Sequence, residues 1–297
     1  MNQYWIAVDW GTTNFRAFLM KDSALIDEVT SAEGILSVQK GAFEAILYKN
    51  IDNFLKNNKN IPILMAGMVG SQQGWVETAY QELPATLGDL SHSAVELKAT
   101  KDNRIWLIPG TQSISQYSLP DVMRGEETQL IGLPEATNYY AIMPGTHSKH
   151  CTMVKGEIQT ITSFMTGELY SLLIKNSMIG KELPPQIEND EFFLMGVESA
   201  QKDIPLTHLI FSARTKRLNK DIPCEFIGSY LSGILIGIEI KAINSKSNIV
   251  IISNEKLGNH YLKAGEHLNL KLELKSGDDC FLSGAYKLIK SLGGIHV

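Results

Sequence analysis

Residues 8–16 read VDWGTTNFR, a stretch that sets an acid, a glycine and two hydroxyls side by side as Asp9, Gly11, Thr12 and Thr13. Those residue types suit a nucleotide. A glycine lets the backbone approach a ligand closely, and threonine hydroxyls and amides bond phosphate oxygens. A carboxylate at a strand end can hold Mg²⁺ through water. The apolar runs on either side, YWIAV and FRAFLM, are of the kind pleated sheets accept, so the expected context is strand, tight turn, strand.

A second stretch echoes the first. YYAIMPGTHSKHCTMVKG (139–156) aligns with residues 4–22 so that Gly145-Thr146 falls on Gly11-Thr12. Each copy runs apolar strand, Gly-Thr turn, second strand and a short Lys-led turn (Lys21-Asp22, Lys155-Gly156), then a third apolar segment, ALIDEV or IQTITSF. We read this as a duplicated three-stranded meander. The copies differ in charge: where the first has Asp9 the second has Met143, so only the first can supply a metal-linked acid.

Elements that would position these turns follow in alternation. Phe43, Ile46, Leu47, Ile51, Phe54 and Leu55 make one helical face, and IPILMA (61–66), RIWLI (104–108) and NIVII (248–252) read as buried strands. Thr166 is expected to cap the helix GELYSLLIKN, and EKLGNHYLKAGEHL to be helical. The run from Pro223 to Asn244 is too short in its apolar core to span a bilayer. It reads as a buried helix with Pro223 in its first turn and Gly228, Gly233 and Gly237 admitting a neighbour.

Composition sets bounds. A 297-residue chain with 44% hydrophobic content can bury a large core and suggests two domains. A net charge of −5 without a basic block gives no sign of a nucleic-acid or membrane partner. Three scattered cysteines, Cys151, Cys224 and Cys280, fit buried thiols in a reducing compartment. With no signal-peptide pattern evident, the expected location is the cytoplasm. A homodimer is left open.

Paired Gly-Thr turns on duplicated meanders resemble the actin, hexokinase and heat-shock ATPase superfamily. The resemblance implies an α/β fold of two ribonuclease-H-like domains, 1–120 and 121–297, each a β-meander plus helices, with an ATP cleft between them. It implies phosphate contacts from Gly11, Thr12, Thr13, Arg16, Gly145 and Thr146, with His147 and Lys149 alongside, and Mg²⁺ held through water by Asp9. His147 and His150, three apart on a hairpin, do not aim at one metal.

The segments WIAVDWGTTNFRAF, GMVGSQQGWVETAY, DVMRGEETQLIGL, PGTHSKH, MTGELYSLL, FSARTKRL and YLSGILIGIEI more sharply resemble the 2-dehydro-3-deoxygalactonokinase family. That family is expected to transfer the γ-phosphoryl group of ATP to the 6-hydroxyl of 2-dehydro-3-deoxygalactonate, a step of galactonate catabolism. Glu127 is the first choice of general base by analogy, with Asp9 and Arg124 completing the catalytic set. Asp121 and Glu126 are the alternative bases in the same motif, and they also read as helix-end acids, Asp121 as a cap and Glu126 in the first turn. The loop GSQQGWVETAY offers Ser71, Gln72, Gln73 and Glu77 to the sugar acid, with Trp75 and Tyr80 as walls, at the carboxyl end of a strand. Where the family commonly has arginine this chain has Gln72, leaving Arg124, Lys149 or Arg214 to grip the substrate carboxylate. Adenine is expected near residues 251–259, where Ser253 and Asn254 stand in place of paired glycines. The rival readings are an exopolyphosphatase-like phosphohydrolase, against which the missing acid of the second turn argues, a kinase of a related sugar acid, and a nucleotide-gated binding module, for which no spare length is visible.

Overall fold

A computed structural model describes residues 3–99, 102–245 and 247–295. The chain opens with strands β1 (Tyr4–Trp10), β2 (Phe15–Lys21) and β3 (Ala24–Ser31), helix α1 (Phe43–Asn57) and strand β4 (Ile63–Ala66). Then come β5 (Gln81–Glu82), α2 (Leu87–His92), β6 (Val95–Leu97), β7 (Ile105–Leu107), β8 (Thr111–Ile114), β9 (Pro120–Met123) and α3 (Glu126–Ile131). The second meander is β10 (Tyr139–Met143), β11 (Ser148–Val154) and β12 (Glu157–Phe164). Helices α4 (Thr166–Asn176), α5 (Asp190–Gln201), α6 (Leu206–Leu218) and α7 (Ile227–Lys241) follow. The chain then runs through β13 (Asn248–Ser253), α8 (Glu255–His267), β14 (Leu272–Ser276) and α9 (Gly277–Ser291).

The duplication is visible in the strand order. Among the described residues one sheet runs β3-β2-β1-β4-β7-β6 and another β12-β11-β10-β13-β14. In both, the first strand of a meander lies between the second strand and the strand that follows the meander. A small third sheet, β5-β8-β9, is an addition to this plan. The turn chemistry agrees as well: Asp22 and Lys155, in equivalent hairpin turns, have φ of 52° and 49°. The fold is therefore α/β with a duplicated meander, and no helix among the described residues is long and apolar enough to cross a membrane.

By contacts the chain divides into two units. Unit 1 comprises Met1–Tyr139, Cys151–Thr162 and Ser276–Val297, and unit 2 comprises Tyr140–His150 and Ser163–Lys275. This division returns the C-terminal helix to the first unit, whereas the halves 1–120 and 121–297 follow the repeat; as domain limits those halves stand as a proposal.

In unit 1 the core forms where α1 presents Phe43, Leu47, Ile51 and Phe54 to the sheet residues Ile6, Val8 and Ile63, all of them buried. Helix α3 is carried by α9: a Cβ on Gly284 would lie 1.8 Å from the Thr128 carbonyl oxygen and one on Gly132 2.0 Å from that of Cys280. In unit 2 helix α7 is apolar on nearly every side, which marks a helix buried by neighbours all round. It meets α5 so closely that a Cβ on Gly233 would fall 1.9 Å from the Phe193 carbonyl oxygen. The glycines read as admitting a neighbour do so. Pro223 precedes a short 3₁₀ turn (Cys224–Phe226) instead of lying within α7, and of the three thiols Cys224 is exposed, contrary to expectation.

Replacing a glycine inside a helix by alanine ordinarily adds about 1 kcal/mol of stability. In Gly233→Ala the contact with α5 should reverse the sign and cost roughly 1–3 kcal/mol. Thermal melting checks this, and an unchanged or raised Tm would contradict the close crossing of α5 and α7.

Candidate active site

Asp9 is the last residue but one of β1, opposite Arg16 on β2. Arg16 bridges two acids, its Nη2 lying 2.6 Å from Asp9 Oδ2 and its Nη1 2.5 Å from Asp278 Oδ1 in the first turn of α9. Burial works against the guanidinium charge, but Asp9 and Asp278 outweigh it and hold its pKa above the ordinary value. Arg16 therefore orients the Asp9 carboxylate. The turn after Asp9 is fixed from behind: Gly34, Ile35 and Leu36 donate their N–H groups to the carbonyls of Thr13, Gly11 and Thr12. Trp10, fully buried, bonds the Glu33 carbonyl through Nε1 at 2.8 Å. With its carbonyls engaged, the turn leaves the side chains of Thr12 and Thr13 exposed.

The parallel register of β1 and β4 sets Asp9 beside Ala66, so Gly67 emerges against the Asp9 carboxylate. A Cβ on Gly67 would lie 3.2 Å from Asp9 Oδ1 and 2.9 Å from the Trp10 carbonyl, and its φ of +96° also favours glycine. Gly125, at φ +110°, sits directly on Gly67; its Cβ would lie 3.2 Å from the Gly67 Cα. Two residues on is Glu127, so the contact of Gly67 with Gly125 brings the strand bearing Asp9 against the start of the helix bearing the candidate base, within unit 1.

Glu127 is wholly buried. Its Oε2 accepts the Gly125 N–H at 2.7 Å and its Oε1 the Thr128 hydroxyl at 3.2 Å. Burial pushes its carboxyl up to about 8, and the neighbouring Glu126 adds to the shift. The other two acids of this motif have separate partners. Glu126 accepts the Arg124 N–H at 3.1 Å. Asp121 is not a helix cap: it lies on strand β9, paired with Ser113, and accepts the Val122 N–H, while Gly125 holds the N-cap position of α3.

The loop read as the sugar-acid contact belongs to the same unit and leads from β4. Gln72, Gln73 and Glu77 are exposed, whereas Trp75 leans on the hydrophobic core of unit 1. Arg124 ties this loop to α3: Nη1 and Nη2 donate to the hydroxyl and carbonyl of Thr78, at 2.5 and 3.0 Å, and the guanidinium lies 4.4 Å from the Tyr80 ring centre. Its Nε and the Ser71 hydroxyl are both buried without a hydrogen-bond partner. The two other cations considered for the substrate are engaged elsewhere. Arg214 donates to the Met178 carbonyl, and Lys149, also expected beside the phosphates, is buried and bonds Ser163 Oγ at 2.6 Å.

In unit 2 the turn Gly145-Thr146 is half-buried to exposed. Helix α4 abuts it, with Glu168 donating its N–H to the Thr146 carbonyl at 2.9 Å and its carboxylate lying 2.5 Å from His147 Nε2. Thr166 does not cap α4, whose N-cap is Met165; its hydroxyl instead donates to Glu239. A cavity of about 370 Å³ opens beside Gly145, lined on its apolar side by Phe193, Leu235, Ile236 and Leu257. Lys256 and Leu257, from the segment expected to meet adenine, lie on its wall; Asn254 caps α8. Glu239, to which the reading of the apolar run gave no role, is buried and bonded to Ser148 and Thr166 beside this turn. An acid in an otherwise apolar helix was the signal that could have found it.

Comparison with known proteins agrees with the sequence resemblance. Residues 9–288 match the family model for 2-keto-3-deoxy-galactonokinase. The chain is 32% identical over 292 residues to the 2-dehydro-3-deoxygalactonokinase of Escherichia coli (strain K12), covering 96% of this chain and 97% of the relative. A crystal structure from Sinorhizobium meliloti, described under the same enzyme name, superposes with a TM-score of 0.87 at 30% identity, covering 97% and 99% of the two chains. A Porphyromonas gingivalis chain described as an N-acetylglucosamine kinase shares the fold alone, with a TM-score of 0.51 and 13% identity over 95% and 98%. The chain belongs to the 2-keto-3-deoxy-galactonokinase family.

Proposed function

We propose that this protein is an ATP-dependent kinase that phosphorylates the 6-hydroxyl of 2-dehydro-3-deoxygalactonate in galactonate catabolism, in the cytoplasm and with Mg²⁺. The observation that carries the reading is the contact of Gly67, beside Asp9, with Gly125, which precedes the buried Glu127 by two residues, in a chain of this family. Phosphoryl transfer needs a carboxylate to take the hydroxyl proton and an arrangement that tolerates phosphate charge. Glu127, in its ionised form, accepts the proton as the substrate oxygen bonds the γ-phosphorus and the bond to ADP breaks. Thr12, Thr13, Gly145 and Thr146 are the proposed phosphate contacts.

Among the described residues no group of three or more metal-ligating side chains occurs, and one carboxylate stands near the end of β1. That donor set fits a magnesium ion that arrives with the nucleotide and is held by Asp9 through water, since Mg²⁺ commonly binds one or two carboxylates plus substrate phosphates. Such an ion would neutralise charge on the transferring phosphates. Arg16 keeps Asp9 aimed for that role. For the sugar acid, Arg124 is the favoured carboxylate grip, because it already braces the substrate loop and retains an unpartnered Nε. The cavity beside Gly145 is the proposed seat of adenosine, its apolar wall suiting a purine.

A coupled ADP-release assay with MgATP across a panel of aldonic and 2-keto-3-deoxy acids tests the activity. Turnover with 2-dehydro-3-deoxygalactonate is expected, and phosphate release without any sugar acid would point to a hydrolase instead. Asp9→Asn should nearly abolish turnover in a protein that melts normally; magnesium-dependent activity near wild type would remove Asp9 from the mechanism.

Glu127→Gln should lower kcat by about 10²- to 10⁴-fold with ligand affinities little changed. It should also alter the pH dependence of stability. Because the folded pKa lies above the unfolded one, the folded chain binds the extra proton and loses this advantage as pH rises from the ordinary carboxylate range through about 8. The variant lacks this titration, so its Tm relative to wild type should climb from about pH 6 to about pH 9. A constant difference would mean that Glu127 is not held protonated by burial.

A further inference from the structure

A second buried carboxyl, Glu239 on α7, lies in unit 2 and is 1% exposed. Its Oε1 accepts from Ser148 Oγ at 2.5 Å and His150 Nε2 at 2.9 Å, and its Oε2 from the hydroxyls of Tyr261, at 2.9 Å, and Thr166. His150 Nδ1 in turn lies 2.9 Å from the Tyr140 hydroxyl. With the imidazole proton on Nε2, Tyr140 donates to Nδ1 and the carboxylate receives a donor along each of its lone-pair directions. Four donors from β11, α4 and α8 thus converge on one group of α7.

What these donors carry gives the network its meaning. Ser148 directly follows the Gly145-Thr146-His147 turn. Thr166 opens α4, and the next residue, Gly167, lies so close to the turn that a Cβ would sit 2.4 Å from the Gly145 carbonyl oxygen. Glu168 then holds the Thr146 carbonyl and His147. Tyr261 belongs to α8, which lines the cavity beside Gly145 through Leu257 and His260. One carboxylate therefore grips the turn from the strand that leaves it and from the helix that abuts it, and ties both to the cavity wall.

We propose that Glu239 is the positioning residue of the second phosphate turn, holding its backbone in the nucleotide-binding conformation before the nucleotide arrives. This rests on the reading that the turn meets ATP phosphates. A turn ordered in advance does not charge its ordering entropy to the binding step, whereas a loosened one does. Weakening the grip should therefore be felt in nucleotide affinity, and not in the sugar acid or in the chemical step.

Ser148→Ala is the sharpest probe, because Ser148 is wholly buried and does not line the cavity, so any effect on the ligand passes through the turn. Tyr140→Phe is the control: it strips a hydrogen bond from the same network on the side away from the turn. Calorimetric titration of MgATP without sugar acid, with steady-state kinetics and melting, separates the outcomes. We expect Ser148→Ala to raise the ATP Kd about three- to tenfold, the worth of one hydrogen bond, with kcat and the sugar-acid KM within about twofold. Tyr140→Phe should lower Tm and leave the ATP Kd unchanged. An unchanged ATP Kd in Ser148→Ala, or an equal weakening in both variants, would overturn the positioning role and leave a network that serves folding alone. If wild type binds no MgATP, the nucleotide reading falls and this inference with it.

Discussion

The contact between Gly67 and Gly125 is the constraint on which the first unit's chemistry depends. A side chain on Gly125 would press on the Gly67 backbone and one on Gly67 on the Trp10 carbonyl and the Asp9 carboxylate, and both residues have positive φ. Bare backbone there lets Asp9 and Glu127 share one small region while they occupy opposite electrostatic surroundings. Asp9 is half-buried and clamped by the cationic Arg16. Glu127 is sealed from water, and that burial raises its carboxyl. Two carboxyls of nearly equal intrinsic acidity are thereby assigned to different tasks by their environments.

The support behind this arrangement is long-range. Helix α3 can hold Glu127 only because α9, from the far end of the chain, crosses it through Gly284 and Gly132, and because the same α9 offers Asp278 to Arg16. In unit 2 helix α7 has two separate faces. Its glycines let α5 approach to backbone contact, and Glu239 gathers the turn, α4 and α8. Apolar packing fixes where α7 lies, and one polar group specifies what is held against it.

What the sequence disclosed was what local chemistry determines. The Asp9-to-Thr13 motif, the paired meanders, the amphipathic α1 and the buried strands follow from period, turn residues and residue type. The glycine spacing of α7 announced a close neighbour, though not that α5 would be the neighbour. The parts that stayed hidden depend on contacts distant in sequence. Nothing near Gly67 points to Gly125, and nothing near Thr166 says that its hydroxyl turns to Glu239 instead of capping its own helix. Asp121 followed the same logic in reverse: the acid suited a cap, but strand pairing with Ser113 claimed its backbone first. Lys149 was expected beside the phosphates, and nothing near it in sequence shows that Ser163, on the next strand, bonds its ammonium.

The central claim is that Glu127, buried and with its carboxyl raised to about 8, is the group whose ionised form takes the substrate proton. The pH dependence of kcat/KM for the sugar acid at saturating MgATP addresses it most directly, because that parameter reports the ionisations of the enzyme form that meets the substrate. The account predicts a tenfold rise per pH unit on the acid side with a bend near pH 8, and the residual activity of Glu127→Gln free of that bend. A wild-type profile that is level from about pH 6 to about pH 9, or a bend that survives in Glu127→Gln, would contradict it.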